Sequence, residues 1–163
     1  MKLISLIYGF ALLTVLATAQ SNSRVPPELV GTWRLLTIED EKTSRGSVPT
    51  DNPTGTIVYD NTGHMAVQIA YSSTRGAIDT VGGKAMAFDM YVAYYGTYTV
   101  NIAEKSIVHH IENSLRPSDI GKDFFRYYEF RGPRLVILNP ADGKGGNLPR
   151  RQITRFLTWE RVK

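Results

Sequence analysis

The fold is decided by residues 54–71, TGTIVYDNTGHMAVQIAY. The first half, 54–60, is rich in the β-branched residues that favour strands, and Asp60-Asn61-Thr62-Gly63 is a turn signature. The second half alternates strictly, with Met65, Val67, Ile69 and Tyr71 on one face and polar or small residues on the other. The stretch therefore predicts a β-hairpin with one buried face.

Similar segments occur on both sides of this hairpin and are separated by short turns rich in glycine, proline, aspartate or asparagine. They predict eight strands, at 31–38, 54–60, 64–71, 94–100, 106–114, 124–131, 134–138 and 152–161. A short helix or lid is predicted at 84–91. The fold class is therefore all-β. Because a meander with open edges would be prone to aggregation, we expect an antiparallel up-and-down barrel, and eight strands leave room for an internal cavity.

The N-terminus has the features of a secretory signal peptide. Met1 and Lys2 precede an apolar run, and Ala17-Thr18-Ala19 forms a small-x-small cleavage site. We expect cleavage after Ala19, no stable membrane anchor, and one domain at 20–163 that is secreted or enters the secretory pathway. The apolar run is short for a bilayer span. No cysteine is present, so the domain depends on its core and backbone hydrogen bonds.

The charge pattern predicts no nucleic-acid partner. The formal net charge is +4 at pH 7, and the basic residues are spread along the chain without interleaved aromatic side chains. Arg150, Arg151 and Arg155 are interpreted as part of a solvated face. No oligomeric state follows from the sequence.

Five ordered motifs resemble a known family, the small lipocalin-like domains of the lipocalin/calycin type. They are Leu29-Val30-Gly31-Thr32-Trp33-Arg34-Leu35, Pro53-Thr54-Gly55 with Gly63-His64-Met65, Ala93-Tyr94-Tyr95-Gly96-Thr97-Tyr98, His109-His110-Ile111-Glu112 with Ser114, and Leu157-Thr158-Trp159-Glu160-Arg161. The resemblance implies a barrel with a cavity, closed at one end by Trp33 under Arg161, a favourable cation–π pair. Asn113 departs from the pattern, in which glycine is expected.

Two polar residues interrupt the apolar faces of consecutive predicted strands. His109 lies between Ile107 and Ile111, and Arg126 lies in the set Phe124, Tyr128 and Phe130. A buried cation needs a partner, so Arg126 suggests an acidic or carbonyl-bearing ligand, with His109 as its neighbour. The alternative is a structural role for both residues, with Arg126 paired to a rim carboxylate and His109 a core histidine whose hydrogen bonds are satisfied within the protein. The predicted ligand-binding residues are Tyr59, Tyr94, Tyr98, His109, Arg126 and Tyr128.

The opposite face of residues 106–114 carries a second candidate pair, His110 and Glu112. If that face were inside, the carboxylate could raise the basicity of the imidazole and form a general acid/base pair. An exposed polar face is the ordinary alternative. The catalytic candidates are therefore His109 with Arg126, followed by His110 with Glu112.

Two functions remain open at this point. The first is binding of a small hydrophobic or amphipathic molecule, and the second is a cofactor-free isomerase, cyclase or dehydratase acting on a natural-product intermediate. Fungal members of the resembled family often accompany such secondary-metabolite pathways, which bears on the second function by analogy alone. The residues 72–87 could also form a binding edge for a partner. We predict no cofactor and no metal, because His109 and His110 point to opposite faces and His64 flanks a turn.

Overall fold

The structure, a computed structural model, describes residues 25–40, 53–71, 90–140 and 153–163. The predicted signal peptide at 1–19 and the segment 72–87 lie outside these residues, as does most of the predicted helix or lid at 84–91. Tyr91, the last residue of that predicted lid, is the first residue of a strand. Nowhere in the described ranges is there a helix long and apolar enough to cross a membrane.

Eight antiparallel strands form a closed up-and-down barrel, which confirms the predicted fold. Each strand pairs with its neighbours in the chain, and the first pairs with the last. The strands are β1 (Gly31–Asp40), β2 (Thr54–Tyr59), β3 (His64–Ala70), β4 (Tyr91–Asn101), β5 (Ser106–Ser114), β6 (Asp123–Arg131), β7 (Arg134–Pro140) and β8 (Ile153–Arg161). A short 3-10 helix, Pro117–Asp119, lies between β5 and β6.

The β2–β3 hairpin forms where the sequence predicts it. Asp60 accepts hydrogen bonds through Oδ1 from the backbone N–H groups of Thr62 and His64, both at 2.8 Å. Gly63 has a φ of +91°, a conformation that favours glycine. Met65, Val67 and Ile69 are buried, so the alternating face of β3 does point into the barrel.

One end of the barrel is closed by aromatic and cationic side chains. The Arg161 guanidinium lies 4.3 Å from the centre of the Trp33 ring, which confirms the predicted pair. Arg161 also donates to the backbone carbonyls of Glu28 and Val30. Trp33 donates through Nε1 to the carbonyl of Leu29 at 2.9 Å. The segment before β1 is thereby fixed across the barrel end.

β5 contains a bulge that determines which side chains face inward. Gly96 of β4 pairs with Ile111, whereas Tyr95 pairs with Asn113, so Glu112 is an extra residue. A Cβ on Gly96 would overlap the carbonyl oxygen of His110. The glycine therefore permits the close approach of the two strands at this point.

Candidate functional site

A cavity of about 290 Å³ lies inside the barrel. Its described lining comes from all the strands except β1, and from the link between β5 and β6. The apolar part of the lining includes Ile57, Val67, Ile69, Val92, Ile137 and Leu157, and the polar part includes Tyr71, Tyr94, His109, Arg116, Asp119, Arg126 and Asn139. A cavity with an apolar lining and a few polar groups is typical of a small-molecule site.

His109 is at the centre of a buried hydrogen-bonded chain. Its side chain is 1% exposed, so the predicted inward orientation is confirmed. Nε2 lies 2.8 Å from the hydroxyl of Tyr59 on β2, and Nδ1 lies 3.1 Å from the hydroxyl of Tyr94 on β4. The alternation of Ile107, His109 and Ile111 along β5 places the imidazole between these two phenols.

Burial keeps all three groups of this chain neutral. Desolvation lowers the pKa of His109 well below 6.5, with smaller contributions from Arg126 and His110. Desolvation also raises the pKa of Tyr59 well above 10.0 and raises that of Tyr94. A neutral imidazole has one N–H donor and one acceptor nitrogen. One phenol therefore donates to His109, and the other accepts from it.

Arg126 brings a positive charge to the cavity. Its guanidinium lies 5.2 Å from the centre of the Phe124 ring and donates to the carbonyl of Phe125 at 2.7 Å. The positive charge of Arg126 also lowers the pKa of Tyr94, against the larger effect of burial. Within the described ranges, Arg126 has no ion pair with a carboxylate. The sequence prediction of a rim carboxylate named no residue; Asp119, a carboxylate in the cavity lining, lies 3.6 Å from the Lys122 ammonium.

His110 and Glu112 both lie on the outside of the barrel. His110 is bonded through Nδ1 to Asp123 at 2.7 Å and lies 3.1 Å through Nε2 from the hydroxyl of Thr99. Glu112 is exposed at the bulge. Both nitrogens of His110 are therefore engaged by residues of neighbouring strands rather than by Glu112, and this pair is not part of the cavity.

Three of the predicted tyrosines, Tyr59, Tyr98 and Tyr128, are buried outside the described cavity lining. Tyr98 donates to the carbonyl of Asp60 at 2.5 Å, and its ring packs 4.8 Å from that of Tyr59. Burial raises the pKa of Tyr98 to about 12. Tyr128 packs 6.0 Å from Phe130. Tyr59 reaches the cavity residues through its hydrogen bond with His109, so the structure brings together Tyr59, Tyr94, His109 and Arg126 and leaves Tyr98 and Tyr128 outside this group.

Sequence reasoning missed four polar side chains that line the cavity, Arg116, Asp119, Asn139 and Trp159. The indole Nε1 of Trp159 and the amide Oδ1 of Asn139 are buried without a hydrogen-bond partner in the described part of the chain. The signal for both was the alternation of inward residues, which continues from Ile137 to Asn139 and from Leu157 to Trp159. Asn139 was assigned to a loop because Pro140 follows it.

Arg155 also differs from its predicted place on a solvated face. The residue is half-buried on β8, and its guanidinium lies 5.3 Å from the ring centre of Tyr71. It also donates to the Tyr71 hydroxyl at 3.3 Å. The prediction from charge clustering was wrong because Arg155 follows the inward alternation of β8.

The described residues contain no group of three or more acidic or histidine side chains arranged to hold a metal ion. A comparison of the sequence with family models matches residues 30–162 to a lipocalin-like domain. That match spans all eight strands. A search of curated proteins found no match.

Proposed function

The chain belongs to the lipocalin-like domain family, and we propose that it binds a small, partly apolar molecule with a carboxylate or carbonyl group inside the barrel. The observation that carries this proposal is the position of Arg126. Its guanidinium is half-buried at the cavity and has no carboxylate partner among the described residues. A desolvated cation is stabilised by an anion or a strong acceptor, and a ligand can supply that group.

The surroundings of Arg126 support the same ligand class. The Phe124 ring and the Phe125 carbonyl hold the guanidinium in place, so little side-chain entropy is lost when a ligand binds. Tyr94 lines the same cavity and contributes a hydroxyl to it. The rest of the lining is mainly apolar, and burial of an alkyl or ring portion there contributes roughly 25 cal/mol per Å².

Isothermal titration calorimetry with decanoic acid and decan-1-ol tests this proposal. Hydrogen bonds to charged groups contribute about 1.5–3 kcal/mol, so Arg126→Gln is expected to weaken decanoate binding roughly tenfold or more. Decanol binding should change little. The matched control is Arg131→Gln, at the exposed end of the same strand, where the side chain pairs with Glu129. Equal decanoate affinity in the wild type and Arg126→Gln contradicts the proposal.

A second candidate function is that of a cofactor-free isomerase, cyclase or dehydratase, and the Tyr59–His109–Tyr94 chain favours it. The two phenols lie on opposite nitrogens of a neutral imidazole. In the tautomer whose Nδ1–H donates to Tyr94, the Tyr59 hydroxyl donates to Nε2, and the Tyr94 hydroxyl is free to donate a hydrogen bond to a substrate oxygen. Exclusion of water strengthens these interactions.

The test of this second function is turnover of β-hydroxy ketones and β-hydroxy acids, measured as loss of water by mass spectrometry. We compare the wild type with His109→Ala and with His110→Ala, the outer-face control. Catalysis through the buried chain predicts loss of turnover in His109→Ala alone. Equal rates in all three proteins exclude histidine catalysis.

We further propose that the protein is secreted after cleavage between Ala19 and Gln20. The support is the apolar run and the small-x-small site in the sequence. N-terminal sequencing of the protein from the culture medium of its own source should begin at Gln20. An intact N-terminus on protein found only inside the cells contradicts this localisation.

A further inference from the structure

The two tryptophans of this chain differ in how their indole N–H groups are satisfied. Both side chains are 1% exposed. Trp33 donates to the carbonyl of Leu29 at 2.9 Å. Trp159 lines the cavity, and its Nε1 has no acceptor among the described residues. An indole N–H is a donor only, and a buried donor without an acceptor is unfavourable. Trp159 therefore requires an acceptor that the described protein does not provide.

The strand register gives the position of Trp159 relative to Asn139 and Arg126. Trp159 pairs with Leu135 of β7, and Arg155 pairs with Asn139 of the same strand. Leu135 and Asn139 are four positions apart, which corresponds to about 13 Å along a strand. The last pair of β6 with β7 is Tyr127 with Leu138, so the next residues, Arg126 and Asn139, lie at the same level, and both line the cavity.

On β7 and β8 the lining between these two levels is apolar. Ile137 and Leu157 form the intermediate pair on β7 and β8, and both are buried. Ile57 and Val67 line the same cavity from β2 and β3. Along β7 and β8 the cavity thus runs from the level of Arg126 past an apolar stretch to Trp159, whose indole N–H is a buried donor without an acceptor among the described residues.

We propose that Trp159 is a specificity-determining residue, and that the ligand is an elongated molecule with polar groups at both ends. An acid group binds Arg126, an apolar chain or ring occupies the middle, and a ketone, ester or ether oxygen accepts from Trp159 Nε1–H. A simple fatty acid leaves the indole donor unsatisfied, so it binds less well than an acid with an oxygen at the correct position. This inference rests on the proposed function and specifies its ligand class.

The probes are decanoic acid and two oxo derivatives of equal chain length, 4-oxodecanoic and 9-oxodecanoic acid. Nitrogen-15 NMR of the protein shows one indole signal for each tryptophan, and Trp159→Phe assigns them. We expect 9-oxodecanoic acid to move the Trp159 Nε1–H proton signal downfield, as a new hydrogen bond does. The Trp33 signal, already bonded to Leu29, is the internal control and should stay in place.

Affinities provide the second measurement. In the wild type, 9-oxodecanoic acid should bind at least fivefold more tightly than 4-oxodecanoic acid, whose oxygen lies in the apolar middle. Trp159→Phe should remove that preference while decanoic acid still binds. If Trp159→Phe binds none of the three acids, the NMR shift of the Trp159 signal still tests the proposal, because that shift is measured in the wild type.

Failure of the role of Trp159 gives a different result from failure of the proposed function. In the first case, the wild type binds decanoic acid through Arg126, but the two oxo isomers bind with equal affinity and shift the Trp159 signal no more than decanoic acid does. That result refutes the role of Trp159 and leaves the proposed function standing. If the wild type binds none of the three acids, both proposals are refuted.

Discussion

The neutral state of buried His109 predicts how the stability of the protein depends on pH. In the unfolded chain the imidazole has a pKa of about 6.5. In the folded protein, burial lowers the pKa of His109 well below that value. Between these two pKa values the unfolded state binds a proton that the folded state does not. The contribution of His109 is therefore fully present above about pH 6.5 and is lost as the pH falls toward the folded pKa.

The magnitude follows from proton linkage. One proton taken up only by the unfolded state lowers the free energy of unfolding by about 1.36 kcal/mol per pH unit. Over the interval from about pH 6.5 to about pH 5, the loss contributed by His109 is therefore at most roughly 2 kcal/mol. Since small domains are stable by about 5–15 kcal/mol, this loss is measurable.

The assay is urea unfolding followed by tryptophan fluorescence at about pH 7.5, 6 and 5. The wild type is compared with His109→Gln, which retains one donor and one acceptor, and with His110→Gln on the outer face. The difference in unfolding free energy between the wild type and His109→Gln should shift by up to roughly 2 kcal/mol in favour of the variant at the lowest pH. A difference that is constant with pH refutes the neutral, buried histidine.

Two further predictions concern the barrel itself. Arg161→Met removes the cation–π contact with Trp33 and the hydrogen bonds to the Glu28 and Val30 carbonyls. We therefore expect the free energy of unfolding in urea to fall by about 1–2 kcal/mol. An unchanged midpoint of urea unfolding contradicts this. Gly96→Ala places a Cβ onto the His110 carbonyl and 2.9 Å from the Glu112 amide nitrogen. It should therefore lower the free energy of unfolding by about 2–3 kcal/mol or prevent folding. The control is Gly121→Ala, which should cost less, because Gly121 has a positive φ but nothing lies within 4 Å of its added Cβ.

Most of the barrel was predictable because its strands alternate between apolar and polar residues. The inward orientation of His109 followed from Ile107 and Ile111, and the closed end followed from the resemblance that pairs Trp33 with Arg161. The start of β4 was missed. Tyr91, Val92 and Ala93 follow a small, glycine-bearing segment, and local composition there outweighed the strand signal.

The site was predictable only in part, since alternation gives the direction of a side chain but not its depth or its partners. Tyr59 and Tyr98 both face inward, yet only Tyr59 reaches His109. Asn139 was missed because a proline follows it, although β7 pairs on to Pro140. The sequence also could not show that Asp123, on the next strand, is the partner of His110.

The most direct test of the central claim is native mass spectrometry of the protein purified from its own source. We predict a complex with a small molecule that is released on denaturation, carries an acid or carbonyl group, and is absent when Arg126→Gln is purified in the same way. An unliganded mass alone, under conditions that preserve the decanoate complex, contradicts the claim that the barrel is a binding site for such a ligand.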